Sequence, residues 1–358
     1  MQDFTAGGLS GPTPRTLSCG DPAFDQRVKE LVRDWGCEIA PELIEQLIIT
    51  ALKMARDKIG VADLKMTTRA LNELRYASRT FAPYRATRKV CVFGSARTPP
   101  DAPEFLAAEE FTRKMREHGY MTITGGGDGI MGAAQRGAGR DFSFGLNIRL
   151  PFEQRANEII HGDGKLINFN YFFTRKLNFV KESHAVVLFP GGFGTMDEGF
   201  EVLTLMQTGK ARIFPLVLVD RPDGSYWRSL FSFITDYLLK LGLISEEDFH
   251  LFYGARSVDD AVAHILQFYK NYRSYRWVGN RMVVRLEHAL TEGALKKLTK
   301  EFGDVLATGG FVQSKALPEE ANEPEIANLP RLVFTPHKRN FGRIRCLLDG
   351  INRARVVG

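Results

Sequence analysis

The chain has 358 residues, a length that predicts two or three domains. Of these residues 44% are hydrophobic and 25% charged, a composition typical of soluble globular proteins. The net charge of +6 and the pI near 9.1 suit a small anionic ligand, and without a zinc finger or an RNA-binding aromatic motif a nucleic-acid partner is not expected. No membrane-length apolar run, no secretory leader and no clustered cysteines occur, so the sequence predicts a cytoplasmic protein without membrane contact or a metal site.

The first 82 residues contain a lead-in and a helical region. Residues 1–24 are rich in glycine, proline, serine and threonine, which predicts irregular structure. In the segment PELIEQLIITALKMARDKIG apolar residues recur at helical spacing, Pro41 stands at a natural first helical position and Gly60 follows the end. A second helix is predicted at about Ala62–Thr80. Because no motif with chemistry occurs here, we interpret residues 1–85 as an extension and a helical layer that helps to build a homo-oligomer.

At Lys89 the pattern changes to alternating strands and helices. Short apolar runs such as KVCVF and HAVVLF are typical of buried parallel strands, and helical spacing follows each of them. The last helix of this region is predicted at about Val258–Tyr272. Such alternation predicts an α/β fold with a doubly wound parallel sheet over residues 86–272.

Residues 273–358 follow a different pattern. The segments RMVVRLEH, a helix at about Glu292–Phe302, VLATGGFVQS, RLVFTP and a helix at about Phe341–Arg353 have the order β-α-β-β-α. This order predicts a small α+β unit. A basic cluster in this unit has two interpretations: a solvated face, as for most such clusters, or a surface that senses an anionic effector or contacts a neighbouring subunit. It comprises His337, Lys338, Arg339, Arg343 and Arg345.

The motif PGGFGTMDE, at Pro190–Glu198, directly follows the apolar strand HAVVLF. Its glycines allow a ligand to approach the backbone closely, and the following helix offers unpaired N–H groups and a positive dipole end, which suit a phosphate. Thr195 can add a hydroxyl donor. Glu198 lies about one turn into the helix, where a carboxylate is better explained by sugar hydroxyls or water than by a phosphate. Glu201, three residues later, lies on the same helical face as a second carboxylate.

A second glycine turn, TGGGDGIMGAA, formally matches GxGxxG through Gly127, Gly129 and Gly132. A dinucleotide site would require an acidic residue at the end of the next strand. The next strand, FGLNIRL, contains none, so an NAD-linked oxidoreductase is disfavoured. A nucleotide that bridges several glycine turns agrees better with the sequence.

A third turn and a basic helix complete the set of motifs. Gly94 and Ser95 follow the first strand, so three turns at strand carboxyl ends point into the crevice where open α/β sheets bind ligands. In FFTRKLNF, Arg175 is flanked by apolar residues that predict a largely buried helix, in which a cation needs a phosphate or carboxylate partner. The flanking residues are Phe172, Phe173, Leu177, Phe179 and Val180.

Together, GGGDGIMGA, TRK and PGGFGTMDE resemble the LOG (Lonely Guy) family of phosphoribohydrolases, whose pattern PGGxGTxxE is matched at every fixed position. The resemblance covers about residues 86–270 and implies a Rossmann-like sheet. It also implies an enzyme that releases the free base and ribose 5-phosphate from a nucleoside 5′-monophosphate. It places the family's catalytic residues on Arg175 and Glu198. It places the phosphate turn on Gly191, Gly192, Gly194 and Thr195.

The resemblance also bears on the substrate and on cofactors. The segments on both sides of it and the stretch GLNIRLPFEQRAN are closer to longer bacterial-type relatives, which favours AMP over a cytokinin ribotide. The family's older label, lysine decarboxylase, implies pyridoxal phosphate, but the carboxylate, the arginine and the phosphate turn already account for the motif, so no cofactor is expected. The predicted substrate-binding residues are Gly94, Ser95, Gly126, Gly127, Gly129, Gly132, Gly191, Gly192, Gly194, Thr195 and Glu201.

Other functions remain as alternatives to the hydrolase. Cleavage of a ribosyl C1′–N bond passes through an oxocarbenium-like state, which Glu198 can stabilise while it positions water. A non-catalytic nucleotide or cofactor carrier would use the same glycine turns. The observation that distinguishes it from the hydrolase is whether Arg175 and Glu198 converge on one pocket, as the hydrolase requires. A nucleic-acid-binding protein is suggested only by the basic pI, and would show salt-dependent binding to DNA or RNA.

Overall fold

The computed structural model describes residues 18–150, 155–221 and 224–357. These residues fall into two compact units, one ending at Arg75 and the other beginning at Tyr76. Most of the predicted lead-in (1–17) and part of the stretch GLNIRLPFEQRAN (151–154) therefore lie outside the described residues. Over the described ranges, no helix is long and apolar enough to cross a bilayer, and no three His, Cys, Asp or Glu side chains are placed to hold a metal ion.

The N-terminal unit is helical, as its periodicity predicts. The first helix begins at Pro22, inside the predicted irregular segment, because the Asp21 carboxylate accepts hydrogen bonds from the N–H groups of Ala23 and Phe24. Pro41 opens the second helix, as predicted. The third helix crosses into the second unit. The helices span α1 (Pro22–Asp34), α2 (Pro41–Arg56) and α3 (Val61–Phe81).

Large apolar side chains are exposed on this helical unit, and they underlie a prediction about assembly. Trp35 is 87% exposed and Ile39 78%, and Leu43 and Leu47 on α2 are about half exposed. Since such patches mark contact surfaces, we expect a homo-oligomer, which sedimentation at micromolar concentration should detect as a dimer or larger species. The double variant Leu43→Glu, Leu47→Glu should lower that mass while its helical circular dichroism is retained. A monomeric mass for the unaltered protein would contradict the prediction.

A parallel sheet lies at the centre of the second unit, with seven strands among the described residues. Its order is β4-β3-β2-β1-β5-β6-β7, and every neighbouring pair is parallel, which confirms the predicted doubly wound sheet. The edge strands β4 and β7 are absent from the predicted elements because neither is a continuous apolar run: Asn168 interrupts β4 and Gly254 interrupts β7. The strands span β1 (Lys89–Phe93), β2 (Met121–Thr124), β3 (Ser143–Ile148), β4 (Leu166–Phe169), β5 (Ala185–Leu188), β6 (Leu216–Val219) and β7 (Tyr253–Ala255).

Helices cover both faces of this sheet because its side chains alternate in direction. Val90 and Val92 of β1 belong to one apolar layer, and Cys91 and Phe93 belong to the other. The layer with Val90 contains α4, α5 and α9, and the layer with Cys91 contains α6, α7 and α8. The helices span α4 (Pro103–Glu117), α5 (Ile130–Ala138), α6 (Phe172–Glu182), α7 (Phe193–Gln207), α8 (Ser225–Phe233, continued by π-helical residues Ile234–Leu239) and α9 (Val258–Phe268).

A four-stranded antiparallel sheet of order β10-β11-β9-β8 follows within the described C-terminal part. The predicted small α+β unit is confirmed, but its predicted order is wrong by one strand. The helix predicted to reach Tyr272 ends at Phe268, and Tyr272 opens β8. The buried aromatic residues of β8, Tyr272, Tyr275 and Trp277, are spaced by three and two residues across a register shift, so their spacing also fits a helix. The elements span β8 (Tyr272–Val278), β9 (Arg281–Leu286), α10 (Glu292–Phe302), β10 (Leu306–Ser314), β11 (Arg331–Pro336) and α11 (Phe341–Arg353).

The last helix, α11, joins the two sheets. Phe341 packs in the same apolar cluster as Ile213, which precedes β6. Asn352 accepts hydrogen bonds from the N–H groups of Asn271 and Tyr272 at 2.9 and 2.8 Å, so α11 is fixed to the connection between α9 and β8. Arg345 of the basic cluster lies on the buried face of α11, so it is only 2% exposed, and it forms an ion pair with Asp349. The expectation of a solvated face is therefore wrong for this residue.

Candidate active site

The candidate site lies where the order of the parallel sheet reverses. From β1 the chain builds outward through β2, β3 and β4 on one side, and then places β5 on the other side of β1. Connections that leave adjacent strands in opposite directions open a crevice at the strand carboxyl ends. The turns after β1, β2 and β5, which contain the predicted glycines, all lie at this edge.

Backbone hydrogen bonds hold these three turns together. The Ser95 N–H donates to the carbonyl of Pro190 at 3.1 Å, and the Ser95 carbonyl accepts from the Ile130 N–H at 3.0 Å. The turn after β1 therefore bridges the other two. A Cβ at Gly94 would lie 2.6 Å from the Ile130 side chain, so this glycine permits the close approach of α5.

Two further glycines have no room for a side chain. A Cβ at Gly129, whose φ is +62°, would lie 2.3 Å from the Ser95 carbonyl oxygen. A Cβ at Gly191 would lie 2.1 Å from Thr195 Oγ1 and 3.0 Å from the Ser95 nitrogen. Thr195 is accordingly buried against the turn. A side chain at either glycine would separate turns that are in direct contact.

The turn after β5 leads directly into α7. Gly192 precedes the helix, and nothing lies within 4 Å of a Cβ placed at Gly192 or Gly194. The side chain of Phe193, the first helical residue, is 96% exposed. Because the first N–H groups of a helix have no intrahelical partner, this open end offers hydrogen-bond donors and a positive dipole to an anion.

The turn after β2 is held by a side chain that the sequence analysis misses. Asn157 Nδ2 donates hydrogen bonds to the carbonyls of Gly126 and Gly127 at 3.1 and 2.8 Å. Gly132, in the first turn of α5, lies beside the same asparagine. These three glycines therefore form a subgroup around Asn157, joined to the other turns through Gly129. Asn157 is 31 residues from Gly126. It ends the stretch GLNIRLPFEQRAN, but nothing in that stretch predicts a contact with a glycine turn.

Glu198 and Arg175 meet one helical turn beyond Thr195. Glu198 is 3% exposed, and Arg175 Nη2 lies 3.6 Å from Glu198 Oε1. The Arg175 guanidinium lies near the rings of Phe172 and Phe179, 5.0 and 5.5 Å from their centroids. Its Nε is buried and has no hydrogen-bond partner in the described parts of the chain. Because 3.6 Å is too long for a hydrogen bond, the two groups form an ion pair and retain capacity for a ligand.

Burial governs the ionisation of both partners. It raises the pKa of Glu198 to about 7, against the opposing effect of the positive charges of Arg175 and Lys176. It also lowers the pKa of Arg175 below its ordinary value, which Glu198 opposes. Burial and the nearby Glu198 charge raise the pKa of the Cys91 thiol well above its usual range. Near neutral pH, Glu198 can therefore exchange a proton, whereas Cys91 stays protonated.

Glu201, the second predicted carboxylate, is paired with a different cation. Its carboxylate lies 2.8 Å from Lys176 Nζ, which lies equally close to Asp197. The two adjacent basic residues of α6 therefore pair with different carboxylates of α7. Glu198 is the carboxylate that faces Arg175, and Glu201 is neutralised by Lys176.

Helix α6 is more exposed than its apolar residues predict. Phe172, Phe173 and Leu177 are 50%, 54% and 43% exposed, because only one side of the helix packs onto the sheet. Arg175 is nevertheless only 14% exposed and has a carboxylate partner. The expectation of a largely buried helix is therefore wrong, whereas the expected pairing of Arg175 with a carboxylate is observed. The buried residues of α6 are Thr174, Asn178, Phe179 and Val180.

The sequence of the chain is similar to those of known proteins. A family model described as "Possible lysine decarboxylase" matches residues 129–265. A protein of Oryza sativa subsp. japonica, named "Probable cytokinin riboside 5'-monophosphate phosphoribohydrolase" of the LOG type, is 30% identical over 192 residues, which cover 51% of this chain and 78% of the rice protein. The chain belongs to the LOG family. A cytokinin riboside 5'-monophosphate phosphoribohydrolase of Arabidopsis thaliana is 28% identical to the LOG-family chain over 184 residues, 49% of this chain and 81% of the relative.

Solved structures similar to the LOG-family chain include two proteins with a molybdenum cofactor in their names. The Moco carrier protein of Chlamydomonas reinhardtii is 21% identical with a TM-score of 0.35, over 51% of this chain and 96% of the carrier. The molybdenum cofactor binding protein of Rippkaea orientalis is 19% identical with a TM-score of 0.35, over 49% and 93%. At these TM-scores neither similarity bears on the activity of the LOG-family chain.

Proposed function

We propose that the LOG-family chain hydrolyses the N-glycosidic bond of a nucleoside 5′-monophosphate, with AMP as the favoured substrate, to free base and ribose 5-phosphate. The observation that supports this most strongly is the buried pair of Arg175 and Glu198, 3.6 Å apart, one helical turn from an open glycine turn. A phosphate site next to a buried carboxylate suits a substrate that has a phosphate at one end and a cationic transition state at the other.

In the proposed complex the phosphate binds at the turn after β5. The open N-terminus of α7 and the exposed backbone of Gly192 and Gly194 supply N–H donors. Thr195, which lies against Gly191, supports this turn from beneath. The base and ribose then extend toward the turns after β1 and β2.

In the proposed reaction Glu198 acts on the sugar. As the C1′–N bond breaks, its electron pair leaves with the base and positive charge develops on the ribose, which a nearby carboxylate stabilises. Water then adds to C1′ and gives up a proton to Glu198, while the departing base takes up one proton from the solvent, so that the products are the free base and ribose 5-phosphate. A pKa of about 7 suits this role, because proton transfer is most efficient when the pKa of the base lies near the working pH. Arg175, whose side chain is 14% exposed beside Glu198, is the proposed donor to a substrate oxygen.

The proximity of Arg175 and Glu198 also favours the hydrolase over a carrier on the same fold. A carrier needs the glycine turns but gains nothing from a buried carboxylate whose burial costs free energy. The test is incubation with a panel of nucleoside 5′-monophosphates, with chromatography of the released base. Tight nucleotide binding without release of any base would favour the carrier.

A pH profile follows from the raised pKa of Glu198. Ionised Glu198 is the form that stabilises a cation, so kcat/KM for AMP should rise about tenfold per pH unit below the pKa. It should level off above about 7. The Glu198→Gln variant should lose this inflection, which separates it from the ionisation of the substrate phosphate near a pKa of about 6. A profile that falls as the pH rises through neutrality would identify the protonated carboxyl as the active form.

A further inference from the structure

Tyr226 lies in the first turn of α8, outside the motifs that define the site. Its hydroxyl donates a hydrogen bond to the carbonyl oxygen of Gly191, 35 residues away. The N–H groups of Tyr226 and Trp227 both donate to the carboxylate of Asp220, at 3.2 and 2.9 Å. Since Asp220 directly follows β6, the position of the Tyr226 hydroxyl is fixed to the neighbouring strand.

The hydrogen bond fixes the orientation of one peptide group in the turn after β5. In a trans peptide the C=O and the following N–H point in opposite directions, and the described peptide bonds are all trans. When the Gly191 carbonyl points at Tyr226, the Gly192 N–H must therefore point away from it. That N–H has no acceptor in the described parts of the chain and adjoins the first N–H groups of α7.

Without this restraint the peptide between Gly191 and Gly192 has unusual freedom. Glycine on both sides removes the steric limits that a Cβ would impose, so the group can rotate. A rotation would turn a carbonyl oxygen toward the space in which a phosphate would bind, where it would repel the anion. The other backbone hydrogen bonds of the turn restrain the peptides on either side. The Ser95 N–H donates to the Pro190 carbonyl, and the Thr195 and Met196 N–H groups donate to the Gly192 carbonyl.

We propose that Tyr226 is a positioning residue for the 5′-phosphate, because it holds the Gly191 carbonyl and so directs the Gly192 N–H toward the ligand. The inference rests on the proposed function, in that the ligand is taken to be a ribose 5-phosphate group. Tyr226 does not touch the reacting atoms. Its effect is on the recognition of the phosphate and not on bond cleavage.

The test is Tyr226→Phe, which removes the hydroxyl and keeps the ring that packs edge-on against Trp227 at 4.7 Å. The KM for AMP should rise about tenfold, as expected for loss of one buried hydrogen bond, while kcat changes by less than about threefold. Calorimetry should give the same loss of affinity for ribose 5-phosphate, without any need for turnover. The rate on adenosine, which has no phosphate, should be unchanged.

Tyr237→Phe is the matched control, since Tyr237 is 59% exposed and further along the same helical segment. It should leave both KM and kcat unaltered. Equal losses on AMP and adenosine, or an unchanged affinity for ribose 5-phosphate, would overturn the role of Tyr226. If the unaltered protein binds ribose 5-phosphate but cleaves no nucleotide, the proposed function fails, and the calorimetric comparison still decides the role of Tyr226.

Discussion

Glu198→Gln should lower kcat for AMP hydrolysis by about 10²-fold or more at pH 8, while the affinity for AMP changes by less than about threefold. The amide keeps the shape of the side chain and removes the charge that stabilises the ribosyl cation in the proposed reaction. The phosphate turn is not altered, so binding should persist. The substitution removes the partner of Arg175 but also removes a carboxylate whose burial is unfavourable, and because these effects oppose each other the melting temperature should change little. Turnover and calorimetric affinity are measured on the same preparation.

Asp197→Asn is the control for this variant. Asp197 is the neighbouring carboxylate on α7, 58% exposed and paired with Lys176. Exposed ion pairs contribute little, so its loss should change kcat by less than about fivefold. Near-normal turnover in Glu198→Gln would reduce Glu198 to a structural charge and favour the carrier over the hydrolase.

AMP should be cleaved about 10³-fold better than adenosine, as judged by kcat/KM. In the proposed complex a phosphate at the N-terminus of α7 would contribute several kcal/mol of binding free energy, and this energy would hold the ribose next to Glu198. Adenosine has the same scissile bond but lacks this anchor, so it should spend little time in the reactive position.

Adenosine 3′-monophosphate is the matched substrate for this comparison. It has the same charge as AMP, but its phosphate cannot reach the turn while C1′ faces Glu198. It should therefore react no better than adenosine. Equal rates for AMP and adenosine would refute the assignment of the turn after β5 to the phosphate.

Local features of the fold and site could be predicted from the sequence because each is a short pattern. The glycine turns adjoin apolar strands, and the spacing of Glu198 from Thr195 places it one turn into α7. The short strands β4 and β7 and the aromatic strand β8 could not be predicted in this way. Neither β4 nor β7 is a continuous apolar run, because Asn168 interrupts one and Gly254 the other, and the tyrosines of β8 also fit a helix.

Contacts between segments that are distant in the sequence could not be predicted from local sequence patterns. Arg175 reaches Glu198 only because α6 and α7 pack onto the same face of the sheet, an arrangement that the family resemblance implies and periodicity does not. Asn157 and Tyr226 bond to glycine carbonyls more than 30 residues away, at 31 and 35 residues. Asparagine and tyrosine are ordinary residues in loops and helices, so nothing in their local sequence marks these contacts.

The attachment of α11 to the large sheet has a consequence for folding cooperativity. Phe341 shares an apolar cluster with Ile213, and Asn352 satisfies the backbone at the start of β8. The C-terminal sheet cannot open without exposing that cluster and those N–H groups, so both sheets belong to one cooperative unit. A destabilising substitution in the C-terminal sheet would then lower the fraction of molecules with an intact Arg175–Glu198 pair, although it touches neither residue.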